Sequence, residues 1–258
     1  MSNELQPGMA DIIVPVHDQF SYTRALLEGI YRYSDCPFHL YIIDNASTDE
    51  TVDLHKIYTR DITIVRNREN RGWSSAINQG FRLGRSPFVF FLTNDIEVSQ
   101  GWMGNLIAFL NTHPRIGAVG PLISTPGHWQ CVDKIRDKIP QIPNFFTEDL
   151  HERNRILGYH FHRAGILVEG LLAFCCVVLT RRAVNHTGPL DETGTGGGEE
   201  VEYCRRLRKA GYVLGLSLDT YVMHHAVRPQ ELALDATRRK GPRKREFAPP
   251  GEGATEYL

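Results

Sequence analysis

Residues 88–98 read FVFFLTNDIEV: an uncharged, strongly apolar run that stops abruptly at Asn94, Asp95 and Glu97. A short run of this kind, bounded by turn-forming residues, is the pattern of a strand buried on both faces of a parallel sheet. Outward from it, the pattern recurs at 11–16 (DIIVPV), 40–44 (LYIID) and 62–66 (ITIVR). Helical stretches lie between: 22–33 with Leu26, Leu27 and Ile30 inward, 48–58 opening on a Ser/Thr-Asp-Glu start signal, and 74–83. This alternation predicts βαβ units, hence an α/β chain with a Rossmann-like, mostly parallel central sheet flanked by helices. Such sheets bind ligands at the carboxyl ends of their strands. The loops there read HDQF, DNASTDE, NRENRGW and NDIEV.

With 258 residues, 41% of them hydrophobic, the chain can bury one sizeable core or two small ones. A formal net charge of −1 provides no global field toward nucleic acid or an anionic membrane. The five cysteines show neither CxxC spacing nor a small secreted framework, so buried free thiols in a reducing cytoplasm are expected. The opening MSNELQPGMADIIV lacks the basic and apolar regions of a signal peptide. The longest apolar stretch, 164–180, is broken by Glu169 and falls short of the roughly 20 residues that span a bilayer.

A further helix is predicted over 99–111, with Trp102, Leu106, Phe109 and Leu110 on one stripe. From about 124 to 163 the pattern dissolves into Pro, Gly, His and aromatic residues, the look of a functional loop or lid. Regular structure returns at Gly165. The run GTGGGEEVEYCRRLRKAG joins a glycine-rich loop to a helix that is acidic in its first turn and basic in its last. A strand pair, YVLGLS and TYVMHH, follows, and a polar tail begins near 228.

Neither GxGxxG nor GxxxxGK(S/T) follows the first strand, so a pyrophosphate would need other neutralisation, either fixed backbone N–H groups or a divalent cation held by carboxylates. Asp95, delivered by a buried strand, is placed to hold such a cation, though Asn94 and Asp95 also make an ordinary turn. Asp44, beside Asn45, can accept hydrogen bonds from a base or ribose if Ser47 or Thr48 caps the next helix. Glu199, Glu200 and Glu202 open a helix behind the flexible glycines, where one carboxylate could deprotonate a hydroxyl or merely stabilise the helix. Of His224 and His225, adjacent on a strand, at most one faces the same site.

Taken together, the segments resemble the family 2 glycosyltransferases of GT-A fold, in particular the bacterial rhamnosyltransferase-like branch. The similarity covers about residues 10–226 in order: IIVPVHDQ, YIIDNASTDET, VRNRENRGWSSAINQG, FVFFLTNDIEV, GAVGPL, AFCCVVLTRRAV, GPLDE with GGGEEVEYCRRLRKAGY, and TYVMHH. It implies one GT-A domain over 1–226, with a nucleotide-sugar half at 10–123, an acceptor half with a small antiparallel portion at 124–226, and a tail at 227–258. It implies an inverting transfer from a nucleotide-sugar donor to a glycan or other hydroxyl acceptor, helped by Mn²⁺ or Mg²⁺. A UDP- or dTDP-linked donor fits the resemblance better than a GDP-linked one.

Position by position, Asp95 matches the metal-binding Asp and His224 the late metal ligand. Asn94 lies near ribose and phosphates, and Pro15, Val16 and Asp44 match the nucleoside pocket. Arg71, Gly72 and Asn78 match the segment closing over base and diphosphate, and Glu200 the catalytic base. That base is usually Asp, so Glu199 is a rival, and Arg71 replaces an apolar residue of many relatives. The rival classes are a non-catalytic nucleotide-sugar-binding module and a sugar nucleotidyltransferase; the trio Asp95, Glu200, His224 argues against the first, and VHDQFSYTR, which is no glycine-rich loop, against the second. The basic RRKGPRKR segment of the tail offers a peripheral contact to a membrane or anionic acceptor, and a homo-oligomer is left open.

Overall fold

Every residue of β1 (Ala10–Val16), β4 (Phe88–Leu92) and β6 (Ile116–Ile123) is buried, because helices cover both faces of the sheet they form. The computed structural model describes residues 9–125, 128–132, 149–193 and 198–225. The remaining strands are β2 (Phe38–Asp44), β3 (Ile62–Arg66), β5 (Ile96–Glu97), β7 (Gly165–Val168), β8 (Cys176–Thr180) and β9 (Val213–His224). The helices are α1 (Phe20–Tyr33), α2 (Leu54–Ile57), α3 (Trp73–Leu83), α4 (Trp102–Thr112), α5 (Leu150–His160), α6 (Arg181–Thr187) and α7 (Glu199–Lys209).

Among the described residues the strand order is β3-β2-β1-β4-β8-β6-β9-β5, with β7 on β9. Strands β1 to β4 are mutually parallel where they pair, as the βαβ pattern predicts. Beyond β4 the sheet is mixed: β8 runs antiparallel to β4 and β6, while β9 is parallel to β6. Antiparallel pairing thus reaches to the middle of the sheet.

Strand period divides the core. Ile12, Val14, Ile42 and Phe90 face α1 and α4, where Leu26, Leu27, Ile30, Trp102 and Leu106 meet them. Their neighbours Ile13, Ile43 and Phe91 face Ile77 and Phe81 of α3 and Tyr203 and Leu207 of α7. Helix α3 lies so close that a Cβ on Gly80 would fall 2.5 Å from Ile13 Cγ2, which is why glycine stands there.

Three local expectations are corrected. The stretch 48–58 is a 3₁₀ turn (Glu50–Asp53) running into the short α2, and its cap is Asp49, not Ser47 or Thr48. The 124–163 stretch contains α5: Asp149 caps it at Glu152 N–H, and Asn154 bonds both Tyr221 O and Tyr221 N–H. The strand pair at 212–225 is one strand. Asp219, between the two expected strands, is buried and accepts from Arg163 N–H (2.8 Å), Ser217 Oγ and Thr220 Oγ1. The strand is irregular there, the pairing with β6 shifting between Gly120–Leu216 and Leu122–Tyr221.

Candidate active site

Strand β4 ends at Leu92, and Thr93 N–H still reaches Cys175 O at 3.0 Å. The chain then turns through Asn94 and Asp95 into β5, which pairs antiparallel with the end of β9, Ile96 opposite His224. This pairing brings Asp95 Oδ1 to 3.4 Å from His224 Nε2, although about half the chain separates the two residues. The ring is oriented from behind, His224 Nδ1 lying 2.8 Å from Thr125 Oγ1. Burial opposes a charge on His224, but hydrogen bonds to Asp95 and Cys175, with the negative charge of Asp95, outweigh it and push the imidazole up to about 10. His225 points elsewhere, to Glu97 Oε1 at 2.7 Å, as strand alternation requires.

One carboxylate and one imidazole would suit a divalent cation such as Mn²⁺, which Asp95 and His224 would hold. Among the described residues no group of three or more His, Cys, Asp or Glu closes a cage around such an ion. Asn94 sits alongside, its Nδ2 donating to Thr23 Oγ1 of α1 at 3.1 Å.

The ends of β1, β2 and β3 form the adjoining wall. Pro15 and Val16 pair with Ile43 and Asp44. Asp44 is buried but not free: Oδ1 accepts from Ser47 N–H (2.8 Å), and Arg66 Nε lies 3.8 Å from Oδ2. The rim is backbone held out of its ordinary range, with Asp18, Gln19 and Ala46 at φ 55°, 63° and 64°. Asp18 is fixed there by Thr48 N–H at 2.6 Å, a bond that leads the causes holding its carboxyl below the usual range. Phe20 N–H donates to Asp49 Oδ2 (2.8 Å), tying the first loop to the second. Sequence reasoning passed over Asp18, whose signal was only its place in a strand-end loop, and read Asp49 only as part of a helix start signal.

Arg71 is exposed, followed by Gly72 at φ 81° at the start of α3. Asn78 is not in the wall. Its Nδ2 donates to Leu190 O (2.9 Å) and Glu192 Oε1 (2.8 Å), and its Oδ1 accepts from Leu190 N–H, so it clasps α3 to the 190–192 segment. The direct donor contact implied for Asn78 does not match that position, 1% exposed with both N–H groups engaged.

Rings join the start of α3, the end of β4 and the start of α7. Trp73 lies 6.5 Å from Phe91 and 6.2 Å from Phe174, and Phe174 lies 6.0 Å from Tyr203. Three residues before Tyr203, Glu200 is half-buried and makes no hydrogen bond or ion pair among the described residues. Glu202 is engaged with Arg206, 2.8 Å away, which also donates to Thr187 O and Pro189 O. Glu199 has interactions of its own. Residues 194–197 of the glycine loop, 126–127 and 133–148 of the expected lid, and the tail lie outside the described residues.

Residues 11–172 match the family model described as Glycosyl transferase family 2. An N-acetylglucosaminyl-diphospho-decaprenol L-rhamnosyltransferase of Mycobacterium tuberculosis is 22% identical over 244 residues, covering 84% of this chain and 77% of its own. An uncharacterized glycosyltransferase of Haemophilus influenzae is 30% identical over 87 residues, 34% of this chain and 29% of that protein. A mannosyltransferase of Pyrobaculum calidifontis, solved with GDP-Man and Mn²⁺, shares the fold with a TM-score of 0.62 at 18% identity, over 91% of this chain and 61% of that one. The chain thus spans less than a third of the Haemophilus protein and under two thirds of the mannosyltransferase. No described helix is long and apolar enough to cross a membrane.

Proposed function

The chain belongs to glycosyl transferase family 2, and from that membership we propose that it moves a sugar from a nucleoside-diphosphate donor to an acceptor hydroxyl, with inversion at the anomeric carbon. The observation that carries the reading is the meeting of Asp95 and His224 at 3.4 Å beyond the end of β4. Asp95 and His224 would hold a divalent cation there, which would supply positive charge against the diphosphate leaving group. Val16 and Asp44 face the nucleoside, and Arg71 offers its guanidinium to the diphosphate.

Glu200 accepts the proton of the acceptor hydroxyl as that oxygen bonds to the anomeric carbon. The bond from that carbon to the diphosphate oxygen breaks with its electron pair, and the nucleoside diphosphate departs. Glu200 suits this role better than Glu202, whose carboxylate is held by Arg206. The donor carrier is read as uridine or thymidine diphosphate, from the resemblance to the rhamnosyltransferase-like branch. The acceptor is read as a glycan, and the Mycobacterium relative's name describes a lipid-linked diphosphate one.

The test is calorimetric titration with UDP, dTDP, GDP and CDP, with and without Mn²⁺. UDP or dTDP should bind only with the metal, and Asp95→Ala should abolish that binding. Binding that ignores both chelator and Asp95→Ala would overturn the cation reading. Absence of binding by any of the four would overturn the donor reading.

A further inference from the structure

We infer that Asn67 is a positioning residue for the donor: through Asn45 it sets the Arg71–Gly72 turn that faces the nucleoside diphosphate. The inference rests on the donor reading above. Asn67 follows β3, and its N–H donates to Asp44 O at 2.8 Å. Its side chain forms a doubly bonded amide pair with Gln79 of α3: Asn67 Nδ2 to Gln79 Oε1 at 3.0 Å and Gln79 Nε2 to Asn67 Oδ1 at 2.9 Å. That pair fixes which side of the Asn67 amide carries the N–H groups, and Nδ2 also donates to Asn45 Oδ1 at 2.8 Å.

Asn45 is thereby oriented as well. With its oxygen facing Asn67, its Nδ2 faces the other way and donates to Gly72 O at 3.2 Å, while its N–H is held by Val16 O at 2.8 Å. Gly72 N–H donates to Asn70 Oδ1 at 3.0 Å, so the turn is held from both sides in the left-handed conformation glycine allows. Arg71 itself makes no hydrogen bond or ion pair among the described residues. Its reach is therefore set by the backbone beneath it. Val16, Asp44 and Gly72, assigned to the donor from three separate loops, are joined by one chain of amides running through Asn67.

A chain of amides has a polarity, and an isosteric change reverses it. Asn67→Asp keeps the acceptor for Gln79 but places a carboxylate oxygen against Asn45 Oδ1. Asn45 then turns its own oxygen toward Gly72 O, and the turn loses its anchor. Donor affinity should weaken about tenfold while kcat at saturating donor stays within about twofold, because the chemistry at Glu200 is untouched. Gln79→Ala, which frees the Asn67 amide to rotate, should weaken affinity in the same direction by less and serves should Asn67→Asp fail to fold.

The experiment titrates UDP and dTDP with Mn²⁺ into wild type, Asn67→Asp, Gln79→Ala, Arg71→Ala and the Asn67→Asp/Arg71→Ala pair, with KM and kcat measured alongside. A double variant no weaker than Arg71→Ala alone supports the inference, since Asn67 then acts through Arg71. If Arg71→Ala weakens binding but Asn67→Asp and Gln79→Ala do not, or if the losses simply add, the positioning role is overturned and the donor reading stands. If Arg71→Ala binds like wild type, this loop does not face the donor, and the positioning role fails together with the Arg71 contact while the donor reading stands on the binding itself.

Discussion

At the amino end of the sheet Asp11 meets Arg181, and at the carboxyl end Asp95 meets His224. Both carboxylates are more than nine-tenths buried, yet their partners differ in kind. Asp11 also accepts from Ser86 N–H (2.9 Å) and Ser86 Oγ (2.7 Å), and an arginine cannot give up its proton. That end is a closed lock. An imidazole can release its proton and offer the same nitrogen to a cation, so the carboxyl end is exchangeable. Residue type alone does not separate a structural carboxylate from a functional one; the chemistry of its partner does.

The contrast yields predictions of decreasing size. Glu200→Gln, at the carboxyl end, should lower turnover by about 10²–10⁴-fold with donor affinity and melting temperature little changed. Near-normal turnover would pass the role of base to Glu199. Asp11→Ala should do the opposite, costing about 3–5 kcal/mol of stability by leaving Arg181 buried without its partner. A denaturant midpoint would show the loss, while the folded fraction keeps its donor affinity; weakened affinity there would erase the division between the two ends.

Thr125→Val removes the partner of His224 Nδ1 and should lower Mn²⁺ affinity by about 10- to 100-fold without unfolding the chain. An unchanged titration would show that the ring needs no orienting from behind. A remaining effect is in pH. Because His224 is pushed from 6.5 up to about 10, the metal-free pairing with Asp95 contributes fully below 6.5 and is lost as pH rises through about 10. A cation must displace that proton, so Mn²⁺ affinity should climb with pH, by up to about tenfold per unit, until the imidazole is neutral. A flat profile would mean that His224 does not ligate.

The parallel strands β1 to β4 and the helices between them were legible because burial on both faces leaves a local mark. So was Asp95, since an apolar strand ending in a carboxylate is visible without knowing what lies opposite. Helix α5 was missed because only Leu150, Ile156 and Leu157 are buried along it; Asp149 with Glu152 was the start signal to read. Strand β9 was read as a pair, whereas Asp219 lies within one continuous strand, where three donors satisfy it in the interior. Asn78 was assigned to the segment closing over base and diphosphate on the resemblance alone, whereas its side chain faces the 190–192 segment.

The sequence by itself determined the βαβ half, the resemblance to family 2, and which carboxylate the central strand delivers, because strand period, caps and motif order are properties of neighbouring residues. Only the tertiary structure decided how closely His224, already singled out by the resemblance, meets Asp95, that Arg206 occupies Glu202 while Glu200 keeps no such partner among the described residues, and that Asn67 reaches the Gly72 turn through Asn45. The physical reason is that these contacts depend on the strand order β4-β8-β6-β9-β5 and on packing across the whole chain, which no local period encodes.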